Sequence, residues 1–188
     1  MACDGVGPSH TCISLVEGMH RAGQEVDVHA VRRRAPRPAT PMHLAVPRLL
    51  SALPYPWVSS VASRVIERRF LGSVREGDIA YLWPSASIET HRLLHERGIP
   101  IVLEGINTRM ASAKRILDAA YDAFKAVPSH GITDARILEE EEKYRYADAI
   151  FAPSRGVELA LEGSLLEHGI LPSSYGGDLS LAPPPRAP

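Results

Sequence analysis

Features that would assign a protein quickly to a class are scarce in this chain of 188 residues. Neither sign of charge is in excess, because the chain has 21 Lys and Arg and 22 Asp and Glu, so net charge does not favour a nucleic-acid or membrane partner. Cys3 and Cys12 are too few for a disulfide scaffold and fit a reducing compartment. No run approaches the roughly 18 apolar residues of a membrane span, and no basic-then-apolar leader opens the chain. We therefore expect a cytoplasmic protein.

The remaining composition is that of a globular protein. Hydrophobic residues make up 45% of the chain, and this length favours one domain with one core. We expect that domain to span residues 1–172. The ending "LAPPPRAP" suits neither a helix nor an inner strand, so we expect residues 173–188 to form an irregular proline-rich tail.

One pattern occurs twice, as "GDIAYLWPS" at 77–85 and "ADAIFAPS" at 147–154. In each copy an acidic residue precedes a short apolar run, which ends at Pro-Ser and leads into a helical segment. Apolar runs this short, without alternation, are typical of parallel strands buried on both faces. We expect Ser85 and Ser154 to cap the helices that follow.

Glycines follow the predicted helices. Predicted helices end at "MHRAG", "LLHERG" and "LLEHG", where glycine supplies the left-handed residue after the last turn. New strands are predicted after two of these glycines, at 26–31 and 99–103. Such alternation of strand, helix and glycine predicts an α/β fold, with a Rossmann-like parallel sheet built from βαβ units and flanked by helices.

Other segments are less regular. Residues 32–57 are rich in proline and predict a long loop, which is either functional or a solvated connection. A helix is predicted over 109–126 from the spacing of Ile116, Ala120 and Phe124. Thr133 can cap a further helix, in which we expect a solvated acidic face at 139–142 and the pairs Glu139–Lys143 and Glu141–Arg145.

The first candidate site is "GVGPSH", residues 5–10. Gly5 and Gly7 would let the backbone approach a ligand, and the amides near Ser9 and His10 at the helix start would attract a phosphate. The third glycine of a dinucleotide fingerprint is missing, so a plain tight turn is the alternative.

Metal and hydrolase sites find less support. His91 and His95 lie one helical turn apart, but the glutamate of an HExxH motif is absent, so we expect a solvent-facing or interface pair and no metal. No Gly-x-Ser-x-Gly motif occurs, and neither cysteine has a local base.

The stretch "LEGINTR", residues 103–109, closes a predicted inner strand. Ligands of open α/β sheets bind beyond the carboxyl ends of the strands, so these residues are placed to face a cleft. Glu104 and Asn107 would suit sugar hydroxyls, and Arg109, after Thr108, would suit a phosphate. The alternative is a capping turn that leads into the next helix.

Several stretches together resemble the N-terminal domain of GT-B glycosyltransferases of the family 4 type: "HTCISLVEGMHRAGQEVDV", "EGINT", "YRYADAIFAPSRGVELALEGSLLEHGI" and "LPSSYGGD". The resemblance covers residues 5 to about 178. It implies two Rossmann-like domains facing each other across a cleft, the first holding the acceptor and the second a nucleotide sugar. It also implies retention of the anomeric configuration, with a nucleotide diphosphate sugar as co-substrate and without a cofactor.

The resemblance also assigns roles to residues. Gly5 to Ser9 would lie near the donor diphosphate and the acceptor, Glu104 and Asn107 would touch the transferred sugar, and Ser154 with Arg155 would border the same cleft. No catalytic residue is assigned. The implied partners are the nucleotide-sugar donor and a carbohydrate or small-molecule acceptor, without nucleic acid. Peripheral membrane association and a second chain that supplies the donor domain stay open.

The chain departs from the family pattern in three ways. Only "MACD" precedes the glycine loop where a full strand is expected, Asn107 or a neighbour stands where relatives often have histidine, and the chain ends where the donor domain should begin. We therefore expect a truncated glycosyltransferase domain, inactive alone. The alternative is a non-catalytic Rossmann-like binding module.

Overall fold

A computed structural model describes residues 2–3, 8–33, 41–46, 55–164, 166 and 169–172. These residues form eight strands and six helices. In chain order they are β1 (Ala2–Cys3), α1 (Pro8–Arg21), β2 (Val28–Ala30), β3 (Arg32–Arg33), β4 (Met42–Leu44), α2 (Tyr55–Ser73), β5 (Ala80–Leu82), α3 (Ile88–Glu96), β6 (Ile101–Glu104), α4 (Met110–Ala123), α5 (Asp134–Arg145), β7 (Ala149–Ala152), α6 (Arg155–Leu161) and β8 (Gly169–Pro172).

All of the strand pairs are parallel. β5, β6, β7 and β8 form a four-stranded sheet in that order, while β1 pairs with β3 and β2 pairs with β4. Helices connect the strands of the larger sheet, as parallel pairing requires. The predicted α/β fold with a Rossmann-like parallel sheet is confirmed.

The two copies of the repeated pattern form β5 and β7, each followed by a helix. The acidic residue of each copy binds main-chain amides. Asp148 accepts from the Ile101 amide at 2.7 Å and donates its own amide to the Ile101 carbonyl at 2.8 Å, while Asp78 accepts from the Arg75 amide at 2.7 Å. Asp148 thus fixes the start of β7 against the start of β6.

The main core lies around the four-stranded sheet. Leu94 of α3, Ile101 of β6 and Ile150 of β7 are almost completely buried there, with Val157 and Leu161 of α6 beside them. A second, smaller cluster joins α2 to the β2–β4 region through Val31, Val46, Ala62 and Ile66. Helix α2 packs against both β2 and α3 and so links the two clusters.

Two of the predicted helix ends are confirmed. Gly23 (φ 81°) and Gly98 (φ 68°) adopt the left-handed conformation after α1 and α3. The third was wrong, because α6 ends at Leu161 and is followed by Gly163 with φ 72°. The chain then forms β8, a strand that the sequence analysis did not predict.

The expectation of one long loop at 32–57 was also wrong in part. It contains β3 and β4, and its last residues begin α2, a helix of 19 residues that was not predicted. The rest of that segment, 34–40 and 47–54, lies outside the described residues, as do residues 173–188 of the predicted tail.

The helix caps confirm two predictions and correct one. Ser154 accepts from the Val157 amide at 3.3 Å and Thr133 from the Arg136 amide at 3.3 Å, as expected. Helix α3 is capped by Ser87 rather than Ser85. A turn closed by the Ala86 amide and the Trp83 carbonyl, 2.9 Å apart, delays the helix by two residues.

Candidate functional site

The predicted site residues Glu104 and Ser154 lie at one edge of the larger sheet. Glu104 is the last residue of β6 and pairs in register with Phe151 of β7, and Ser154 follows three residues later. Because the two strands are parallel neighbours, their carboxyl ends meet at the same edge. This edge, with the turns that follow β6 and β7, is called the rim below. Gly5, also expected here, lies outside the described residues.

Glu104 is only 2% exposed. The hydroxyl of Tyr81, from the neighbouring strand β5, donates a hydrogen bond to its Oε2 atom. The Tyr81 ring in turn lies against Phe151, with ring centroids 5.8 Å apart. The carboxylate is therefore held in a fixed orientation at the carboxyl end of β6. The sequence analysis missed Tyr81. The available signal was an aromatic side chain inside β5, the predicted strand that precedes β6 in the chain.

Gly105 allows β6 and β7 to lie this close at the rim. Its amide donates to the Phe151 carbonyl at 2.9 Å, and a Cβ at this position would lie 2.6 Å from that oxygen. Real Cβ atoms essentially never approach a backbone oxygen so closely. The turn after Glu104 thus requires glycine.

Asn107 and Thr108 are exposed beyond this turn. Ser154 and Arg155 are also exposed at the start of α6, and the Arg155 guanidinium pairs with Glu158 at 2.5 Å. The rim therefore presents an amide, two hydroxyls and a cation beside the buried Glu104 carboxylate.

Arg109 contacts the protein interior. Its side chain is 15% exposed, its Nε donates to Glu141 of α5, and its Nη1 donates to the Glu162 carbonyl at 3.2 Å. The expected pair Glu141–Arg145 was wrong, because Glu141 turns instead to Arg109, 32 positions earlier. The expected pair Glu139–Lys143 is confirmed at 2.8 Å.

The acidic run at 139–142 was predicted to be a solvated face, and for two of its members this was wrong. Glu141 is buried, and Glu140 is half-buried with its Oε2 accepting from the Met110 amide at 2.7 Å. Helix α4 has no side-chain cap of its own, so Glu140 of α5 caps it from outside. Burial raises the pKa of Glu140 and also that of Tyr144 beside it.

Two N-terminal site predictions lie in α1. Ser9 and His10 belong to its first turn, where His10 is exposed, while Gly5 and Gly7 lie outside the described residues.

The expectation of a solvent-facing histidine pair was wrong for His91. His95 is exposed, but His91 is 1% exposed and its Nδ1 lies 2.7 Å from the Ser87 carbonyl. Within the described part of the chain, no group of three or more His, Cys, Asp or Glu side chains could hold a metal ion.

The burial of His91 predicts a dependence of stability on pH. Burial, and then the nearby Lys143, lower its pKa from the ordinary 6.5 in the folded state. The unfolded chain therefore binds the proton more readily than the folded chain does. The contribution of neutral His91 to the free energy of unfolding is thus fully present above about pH 6.5 and is lost as the pH falls through the folded pKa. We expect the free energy of unfolding to drop between about pH 7.5 and pH 5.

In His91→Asn the amide nitrogen can replace Nδ1 as the donor to the Ser87 carbonyl, but the side chain cannot titrate. Urea unfolding at both pH values should then show a smaller drop than in the unchanged protein. Some drop should remain, because the pKa of His29 is also lowered, by burial first. An equal drop in both proteins would contradict the assignment to His91.

A cavity of about 170 Å³ lies beside the rim, between α1, α2, β2 and β5. Tyr81 lines it, and so the residue that orients Glu104 also forms part of the cavity wall. None of the predicted site residues that the structure describes is among its lining residues.

Among the described helices, none is both long enough and apolar enough to span a bilayer. Comparisons of the chain with protein-family models, with curated proteins and with solved structures found no match.

Proposed function

We propose that this chain is the N-terminal, acceptor-side domain of a GT-B glycosyltransferase of the family 4 type. In this proposal the rim contacts the sugar that is transferred from a nucleotide diphosphate sugar to a carbohydrate or small-molecule acceptor. The donor is held mainly by a second domain, so the chain alone binds sugar weakly and does not transfer it. No cofactor or metal takes part.

The observation that supports this proposal most is the position of Glu104. A carboxylate at the carboxyl end of an inner parallel strand lies where α/β proteins bind their ligands. Tyr81 fixes the orientation of this carboxylate, and a hydrogen-bond acceptor that is held in one orientation discriminates among sugar hydroxyls. The exposed Asn107 and Thr108 next to it supply further hydrogen-bonding groups.

Charge at the other side of the rim agrees with a phosphorylated donor. The side chain of Arg155 is 68% exposed, and a guanidinium can bind a phosphate through two parallel hydrogen bonds. Arg155 follows Ser154 directly after β7, the neighbour of the strand that carries Glu104. A sugar at Glu104 and a diphosphate at Arg155 would thus lie along the same edge.

The proposal is tested by titrating the ¹⁵N-labelled protein with nucleotide diphosphate sugars and with simple glycosides while amide resonances are recorded. We expect the largest shifts at Gly105, Asn107, Thr108, Arg155 and Gly156. Shifts confined to α1 and β2, or none at millimolar ligand, would refute binding at the rim.

A second experiment separates a transferase half from a binding module. A donor-binding domain from a family 4 enzyme is added to the chain together with donor and acceptor, and product formation is followed. Transfer that depends on both chains supports the enzyme. Shifts of the amide resonances at the rim without any sugar transfer would favour the non-catalytic binding module.

A further inference from the structure

Two histidines face each other across the small β2–β4 sheet. His29 of β2 and His43 of β4 are partners in the parallel register, and their rings are stacked, with centroids 4.7 Å apart and planes 21° apart. Phe70 of α2 contacts the His29 ring edge-on, with centroids 5.3 Å apart. The His29 ring is thus packed against both β4 and α2, whereas the His43 side chain is 49% exposed.

The hydrogen bonds of His29 define the neutral form of its ring. The Ser73 hydroxyl lies 3.2 Å from Nε2 and donates its one proton to the Phe70 carbonyl at 2.8 Å. This hydroxyl can therefore only accept from Nε2, which must carry the ring proton. Nδ1 is then the unprotonated nitrogen, and it is buried without a hydrogen-bond partner among the described residues. A second ring proton would thus create a buried donor that lacks an acceptor.

Protonation would also place a positive charge directly against the second imidazole. Two charged rings whose centroids are 4.7 Å apart repel each other. Burial first, and then His43, accordingly lower the pKa of His29 from its ordinary 6.5. Asp27 acts in the opposite direction, and its carboxylate lies 3.7 Å from Nε2 of His43. Because the Asp27 side chain is 58% exposed, water screens this attraction.

The other charged groups around the pair have partners of their own or lie at the surface. Arg69 of α2 donates to a main-chain carbonyl of β4 at 2.7 Å and adds positive charge there. Glu67 lines the same cavity as the pair, but its carboxylate accepts three hydrogen bonds from the start of α3. His20 and Glu25 line a surface pocket together with Asp27. Among the described residues, none therefore offers an acceptor to the second ring proton.

The β2–β4 pair is built so that it can open without the larger sheet. Each strand has three residues, and within the described part of the chain β2 pairs only with β4. A two-stranded unit of this size is at best marginally stable by itself. Its apolar cluster of Val31, Val46, Ala62 and Ile66 is separate from the main core around β5 to β8. Separation of β4 from β2 would therefore be a local opening.

We propose that the His29–His43 pair is a pH-sensitive switch, which holds β4 on β2 while His29 is neutral and releases β4 when both rings are protonated in mild acid. The stabilising contribution of neutral His29 is fully present above about pH 6.5 and is lost as the pH falls through its folded pKa. Release would expose Val31 and Val46 and would change the wall of the cavity that His29 lines. The proposal is independent of sugar binding at the rim.

Hydrogen exchange of the intact chain tests the switch at single amides. The Ala45 and Val46 amides donate to main-chain carbonyls at the end of β2, and their protection is measured at pH 7.5 and pH 5 with correction for the intrinsic pH dependence of exchange. We expect this protection to fall by about fivefold or more at pH 5. The Gly105 and Asp148 amides, which join β6 and β7, should stay more protected at both pH values, since the opening is local.

Three variants assign the effect to the pair. In His29→Gln the amide nitrogen can replace Nε2 as the donor to Ser73 but cannot titrate, so the fall in protection should disappear. His43→Gln removes the repulsion and should make the fall smaller. His95→Gln removes an exposed histidine of α3 and should leave the fall unchanged. If His29→Gln does not fold, His43→Gln and the unchanged protein still test the proposal.

Three results would overturn the proposal: equal protection of Ala45 and Val46 at both pH values, an undiminished fall in either His29→Gln or His43→Gln, or a loss of protection that is the same in both sheets. The last would show acid unfolding of the whole chain instead of a local switch.

Discussion

Replacement of Arg109 by methionine is expected to lower the free energy of unfolding by about 3 kcal/mol, the usual effect of breaking a buried ion pair. Glu141 is 7% exposed, so loss of the guanidinium leaves its charge in a poorly solvated position. The variant also loses the bond from Arg109 to the Glu162 carbonyl, which ties the start of α4 to the end of α6. Urea unfolding monitored by circular dichroism measures the change.

Two controls separate burial from charge in this experiment. Arg92→Met breaks two exposed ion pairs, with Glu89 and Glu96, and should change the stability little, because exposed pairs contribute little. Adding Glu141→Leu to Arg109→Met should restore much of the loss, since an apolar pair needs no compensating charge. A loss of the same size in Arg92→Met and Arg109→Met would contradict the structural role of the buried pair.

Replacement of Gly105 by alanine is expected to cost about 1–3 kcal/mol, the range for overpacking a closely packed site. The new Cβ would lie 2.6 Å from the Phe151 carbonyl oxygen, so the end of β6 must move away from β7. Glu104 is the neighbouring residue, and the movement should also shift it from Tyr81. We therefore expect thermal stability to fall together with any affinity of the rim for sugar.

Gly72→Ala is the matched control for this substitution. Gly72 lies in α2, where an added Cβ meets nothing within 4 Å, and alanine favours a helix by up to about 1 kcal/mol. Its stability should be unchanged or higher. If Gly105→Ala were as stable as Gly72→Ala, the close contact between β6 and β7 would not limit this turn.

The fold class could be predicted because local sequence patterns indicate it. The short apolar runs around Ala80 and Ile150, and the glycines Gly23 and Gly98, each depend on neighbours in sequence, and the structure confirms them. The position of Glu104 at the edge of the sheet followed from the same reasoning, because it directly follows an apolar run.

The parts that failed depend on distant contacts. Nothing near Glu141 in sequence indicates that it turns to Arg109 or that Glu140 caps α4, since both partners lie about 30 residues earlier. β4 and β8 each have only three or four residues, and pairing with β2 and β7 defines them more than their own composition does. Helix α4 was predicted correctly from the spacing of Ile116, Ala120 and Phe124. That spacing does not mark a buried face, however, because Ile116 is 55% exposed and Phe124, directly after the helix, is 85% exposed.

The most direct test of the account is the affinity of Glu104→Gln for a nucleotide diphosphate sugar, compared with that of Glu142→Gln. Glutamine keeps the shape and can still accept from Tyr81, and Glu142 is an exposed glutamate of α5 that matches the change in charge. Hydrogen bonds to a charged group contribute about 1.5–3 kcal/mol, so Glu104→Gln should bind at least tenfold more weakly while Glu142→Gln binds as the unchanged protein does. Equal affinity in all three proteins would contradict sugar recognition at Glu104.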